Sequence, residues 1–172
     1  MTYKEYEEKA ITTKCYADEV AIPYVVLGLC GELGETLEKL GQEASRDEII
    51  KEIGDQMWYL AGIRVELNLN IEDDWDWTKS EKLTPFNLTS EVGKIAEQVK
   101  KWLRDDWKVG QDNVFPEKRK SAVVEAWKNI WMYLNDLCIQ LESSIEEVGR
   151  INNEKLASRK QRDVIHGSGD NR

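Results

Sequence analysis

Apolar residues recur at helical spacing along almost the whole chain, and proline breaks the pattern at only three positions, 23, 85 and 116. A repeat of 3.6 residues sustained this way leaves packed helices as the economical way to bury the apolar stripes. Six helical segments are expected, near 3–19, 23–41, 46–69, 87–107, 118–142 and 144–159. Pro23 opens a helix, while Pro85 and Pro116 fall in connections. Two longer connections interrupt the helices, IEDDWDWTKSEKLTP at 71–85 and KVGQDNVFPE at 108–117, and the ending RDVIHGSGDNR reads as irregular. The fold class is therefore all-α. With 172 residues the chain suffices for one compact domain with its own core.

The second and third segments share one pattern. Val26, Leu29, Leu33, Leu37 and Leu40 form the apolar stripe of the second; Ile49, Ile53, Met57 and Leu60 form that of the third. An acid pair at i, i+3 sits on the same shoulder of each stripe: Glu32 with Glu35, and Glu52 with Asp55. Folded as an antiparallel hairpin, the two helices bring the four carboxylates to one end of a groove. Four carboxylates there suit a hard divalent cation, Mg²⁺ above all, with Mn²⁺ also possible, and such sites commonly handle phosphates. The competing reading is a solvated acidic face, since acid pairs at this spacing abound in an acidic chain. Gly28, Gly31, Gly34 and Gly54 cost helix stability, about 1 kcal/mol each against Ala, and make sense where a helix or ligand approaches the backbone.

The hairpin recurs downstream in degenerate form. Leu29, Glu32, Gly34 and Glu38 align with Leu88, Glu91, Gly93 and Glu97; Glu52 and Trp58 align with Glu125 and Trp131. Glu35 and Asp55 correspond to Lys94 and Lys128, so the second copy is not expected to hold a cation. Those lysines neutralise Glu91 and Glu125 or face a phosphate. Two amphipathic helices of like composition would give a similar match; a duplication would give a bundle of two hairpins, 23–69 and 87–142, followed by the C-terminal element 143–172.

With 33 acids against 24 Lys and Arg the formal charge is −9, which disfavours nonspecific binding to nucleic acid. Locally the balance reverses: residues 150–172 hold six Lys or Arg against three acids. Cys15, Cys30 and Cys138 lack metal-ligand spacing. Cys30 and Cys138 lie in apolar helical runs and read as buried free thiols, which suits a reducing cytoplasm. No apolar run is expected to span a membrane, and the charged N-terminus lacks a signal-peptide core.

The motif ELGE at 32–35, followed by EIGD at 52–55 in a helix continuing QMWYL, resembles the MazG family of all-α nucleoside triphosphate pyrophosphohydrolases. EEVGRINNEKLASRK at 146–160 is similar to that family's C-terminal element, with Asn152, Lys155 and Arg159 at the matching places. The ending HGSGDNR strengthens the likeness. It covers most of 23–69 and 143–172, and the extra length at 71–142 is similar in kind to the dimeric dUTPases of the same superfamily.

What the resemblance implies is hydrolysis of a nucleoside triphosphate to the monophosphate and pyrophosphate, with Mg²⁺ as cofactor. Glu32, Glu35, Glu52 and Asp55 would hold metal, with Glu35, then Glu32, as general base. Lys155, Arg159 and Arg172 would steady phosphates, and Asn152, Trp58 and Tyr59 would contact substrate. A dUTPase-like specificity or a non-catalytic nucleotide-binding or helical interaction protein are the alternatives. A homodimer is expected, without nucleic-acid or membrane partners.

For Lys155 and Arg159 the plain alternative is a cationic helix C-terminus. Trp58 and Trp131 read as core. Trp75 and Trp77, in the acidic connection, pack on the bundle, form a dimer contact or cover a base. Glu38 and Glu48 read as solvated. His166, the one histidine, reads as a tail residue. The basic tail could close over a triphosphate.

Overall fold

The computed structural model describes residues 1–163 apart from 73, 80, 81 and 83. Arg172, His166 and the proposed closure of the tail therefore lie outside the described residues. Among these residues the structure is all-α: α1 (Tyr3–Ile11), a 3-10 turn at Asp18–Val20, α2 (Ala21–Gly41), α3 (Arg46–Glu66), α4 (Pro85–Asp105), α5 (Glu117–Gln140) and α6 (Ile145–Gln161).

Side-chain caps decide where most helices begin. Thr2, Ser45 and Thr84 accept from the backbone N–H three residues on, and Glu5, Glu48 and Asn87 return the bond to the cap residue. Glu48, expected to be merely solvated, thus starts α3. Pro85 is not in the connection but the first residue of α4, where its missing N–H costs nothing. Pro116 caps α5.

The first helix is shorter than its periodicity suggested. It ends at Ile11 rather than 19, because Thr12 and Thr13 turn their hydroxyls back onto the carbonyls of Lys9 (2.7 Å) and Ala10 (2.6 Å). The Trp58 indole N–H then donates to the Ala10 carbonyl (3.1 Å) and to the Thr13 hydroxyl (2.9 Å), fixing that turn against α3. The helices α2, α3 and α5 end on residues in the left-handed region that are not glycine: Glu43, Asn68 and Glu142. In each case a backbone N–H one residue later closes onto a carbonyl five residues back.

Helices α2 and α3 make the most extensive pairing, followed by α4 and α5; α2 packs on α4, while α6 lies across α3 and α5. Pairs α2–α3 and α4–α5 each form a helical hairpin. Segment Asp18–Gly41 is long and apolar enough to cross a membrane by length and composition, contrary to the expectation that no run approaches that. In the fold it is a bundle helix, with Val25, Leu29 and Leu33 buried.

The core continues through α5, where Trp127 and Trp131 are fully buried and the Trp127 indole donates to the Leu60 carbonyl at 2.8 Å. Trp75 and Trp77 pack on the bundle: with Tyr3, Tyr6, Trp127 and Trp131 they form one aromatic cluster, its ring centroids 4.9–6.3 Å apart. All three cysteines are free thiols; Cys138 is buried, whereas Cys30 is only half-buried because it borders the groove between α2 and α4.

Candidate active site

Antiparallel packing of α2 on α3 decides which acids meet. Glu32, Glu52 and Asp55 each offer a carboxylate oxygen within 4.8 Å of the others. Glu35 is exposed and outside this group. It is a turn further along α2, near enough for its charge to act on Glu32. The close approach of the helices depends on Gly28, where any Cβ would fall inside the Tyr59 ring, and on Gly54, where a Cβ would come to 3.0 Å from Asn152. Gly31 and Gly34 differ: nothing lies within 4 Å of where their Cβ would be, so no helix explains them.

Burial and crowding set the electrostatics. The Glu32 carboxyl is pushed up to about 9, first by burial and then by the negative charges of Asp55, Glu52 and Glu35. Glu52 is 2% exposed, and its countercharge is Lys39 of α2, with which it is ion-paired. Asp55 accepts two bonds from the Lys155 ammonium, at 2.6 and 2.8 Å, and a third from the Asn152 amide at 3.2 Å. Asn152 is held in turn by the Tyr6 hydroxyl, which donates to its carbonyl oxygen at 3.1 Å. Helix α6 thus brings Asn152 and Lys155 onto the acid group. Arg159, a turn further on, is buried.

The aromatic candidates separate. Trp58 is 8% exposed with its N–H committed to α1, a core role. Tyr59 is half-buried beside the site; burial and the nearby Tyr24 and Glu32 push its phenol up. Tyr24, 6.3 Å from the Tyr59 ring, stacks on Tyr16 at 4.6 Å.

The sequence reading missed Lys39, although its spacing of seven from Glu32 places it on the same helical stripe. It also missed Tyr6, whose link to Asn152 spans 146 residues and leaves no local signal. In the second hairpin Lys94 does neutralise Glu91, at 2.7 Å. Lys128 does not pair with Glu125 as expected; it reaches Glu72 at 2.8 Å, because the connection after α3 folds back across α5. Between α4 and α5 remains a cleft of about 420 Å³ bordered by Glu91, Lys94 and Glu125.

No family model and no solved structure matches the chain. The Gene 37 protein of Mycobacterium phage L5 is 35% identical over 99 residues, which is 58% of this chain and 82% of that protein. The chain belongs to the family of that Gene 37 protein. A gene-order name states no chemistry, and the acid group is the chemically distinctive feature of this Gene 37 family member.

The donor set fits a hard divalent cation. Three carboxylate oxygens within 4.8 Å of one another need only small side-chain adjustments to reach Mg–O distances of about 2.0–2.1 Å. Glu32, Glu52 and Asp55 would hold it.

Proposed function

We propose that this protein is a Mg²⁺-dependent pyrophosphohydrolase of nucleoside triphosphates, MazG-like in kind, yielding the monophosphate and pyrophosphate. The observation that carries the reading is the meeting of three carboxylates from α2 and α3 with an ammonium and an amide from α6. It supports the reading because groups able to hold a cation and groups able to hold a phosphate lie together. A bound Mg²⁺ would neutralise phosphate charge and acidify a water.

The chain's own residues supply the rest. Lys155 is placed to exchange its bond to Asp55 for phosphate oxygens. Asn152, steadied by Tyr6, holds Asp55 in orientation. Glu35, exposed and outside the three-carboxylate group, is the carboxylate left to take the proton of an attacking water, with Glu32 as the alternative. Tyr59 and Tyr24 offer aromatic surface beside Glu32 for a nucleobase. Mn²⁺ would substitute for Mg²⁺ in an all-oxygen set. A nucleotide substrate and three free thiols suit a cytoplasmic setting.

Glu35→Ala and Asp55→Ala test the reading, because both remove a carboxylate without emptying the core. Each is expected to lower pyrophosphate release at least about 100-fold while leaving helicity by circular dichroism unchanged. Full turnover in Asp55→Ala would remove the acid group from the chemistry, whereas full turnover in Glu35→Ala alone would pass the role of base to Glu32. Absence of turnover in the unaltered protein, with nucleotide still bound, would point instead to a binding protein.

A further inference from the structure

Two of the three carboxylates already carry an ammonium group. Lys155 sits on Asp55 from α6. Lys39 sits on Glu52 from α2 itself, and nothing in the acid motifs called for it. Glu32 and Lys39 lie at i and i+7, one stripe of α2 facing α3, while Glu35 between them stays exposed. The Lys39 side chain is 22% exposed against 2% for Glu52, so the lysine borders solvent where the carboxylate does not. A carboxylate as buried as Glu52 needs a countercharge at all times; losing one partner of such a pair without replacement is strongly destabilising. A cation that takes the Glu52 oxygen Lys39 holds replaces Lys39 there, and the two compete for that oxygen.

Building on the acid group as a divalent-cation site, we infer that Lys39 is its resident counter-cation: it guards Glu52 against a bare divalent ion and, once released, faces the phosphates beside Lys155. Lys39 has the reach for both roles, being anchored on the same helix stripe as Glu32. A triphosphate carries more negative charge than one divalent cation cancels, so a freed ammonium at the rim finds an anionic partner at once. The consequence is ordered selectivity. The site disfavours a metal ion alone and favours a metal–triphosphate chelate, because only the chelate supplies a new partner for the displaced lysine.

The test compares the full chain with Lys39→Gln, which keeps a donor for Glu52 but no charge, with Lys39→Arg as the conservative variant, and with Lys100→Gln on exposed α4 as control. Free Mn²⁺ is followed by electron paramagnetic resonance, first alone and then with inorganic triphosphate, a probe independent of base preference. Lys39→Gln is expected to bind Mn²⁺ alone about tenfold tighter and Mn²⁺–triphosphate about tenfold weaker, each a change of about 1.4 kcal/mol. Lys39→Arg and Lys100→Gln should stay within about threefold of the unaltered protein.

Unchanged or weaker Mn²⁺ binding by Lys39→Gln, or unchanged triphosphate binding, would overturn the role of Lys39 while leaving the acid group a metal site. No Mn²⁺ binding by the unaltered protein, with inorganic triphosphate as well as without it, would overturn both readings. If Lys39→Gln does not fold, the Lys39 ammonium resonance of the unaltered protein decides. Its signal should move on adding Mg²⁺ and triphosphate as the ammonium leaves Glu52 for phosphate, and a signal unmoved with both bound would overturn the inference.

Discussion

At the scale of single residues, Glu32 carries a carboxyl shifted far from its ordinary value by its surroundings. Its carboxyl is pushed up to about 9 in the fold from the ordinary 4.5, because it is buried beside Asp55, Glu52 and Glu35. A raised carboxyl keeps its proton in the folded state over the window in which the unfolded chain has lost it. The folded state therefore binds more protons between about pH 4.5 and 9, and stability falls as pH rises through that window. Thermal melts in EDTA should show this fall, and Glu32→Gln should flatten it; parallel pH profiles for the two proteins would contradict the assignment. Divalent cation binding removes the same proton, so Mg²⁺ should restore stability most at the alkaline end.

The residue pattern shows what a sequence can and cannot reveal about such a site. Glu32, Glu52 and Asp55 were legible because i, i+3 spacing on two apolar-striped helices survives folding unchanged. Asn152 and Lys155 were legible through resemblance to a known motif, not through spacing. Lys39 and Tyr6 were not, because their roles depend on how far α2 slides along α3 and where α1 crosses α6. The exposure of Glu35 has the same origin: both members of its pair share a helix face, but only Glu32 points into the contact with α3.

Among the helices, the hairpin α2–α3 holds the site and its geometry rests on small residues. Gly28 lets the Tyr59 ring lie against the α2 backbone, a turn from Glu32. Gly28→Ala should push the helices apart, costing about 1–3 kcal/mol as overpacking, and should weaken Mn²⁺ binding by displacing Glu32 from Glu52 and Asp55. A variant with normal melting temperature and metal affinity would show that the ring moves aside freely. Helix periodicity located α2, α3, α4, α5 and α6 to within a few residues. It overran α1, since the stop there is made by the hydroxyls of Thr12 and Thr13 and by Trp58 from another helix, none of which alters the apolar stripe.

At the scale of the whole molecule, the two hairpins divide the work. The first keeps its acids; the second carries Lys94 on Glu91 and Lys128 on Glu72 and acts as the packing partner that keeps the first in shape. The outer side of α2 remains open: Leu27 is 71% exposed and, with Pro23, Val26, Val99 and Leu103, borders an apolar groove of about 630 Å³. A homodimer would give these side chains cover, and sedimentation at micromolar concentration is expected to return the dimer mass; a monomer would reject it.

The most direct measurement is product identity. The protein would be incubated with each ribo- and deoxyribonucleoside triphosphate, dUTP included, with Mg²⁺ and with EDTA, and the products separated by ion exchange. Monophosphate and pyrophosphate in equal amounts, formed with Mg²⁺ and lost in EDTA, is the result expected. Diphosphate with phosphate, or turnover that persists in EDTA, would contradict a metal-dependent attack that expels pyrophosphate.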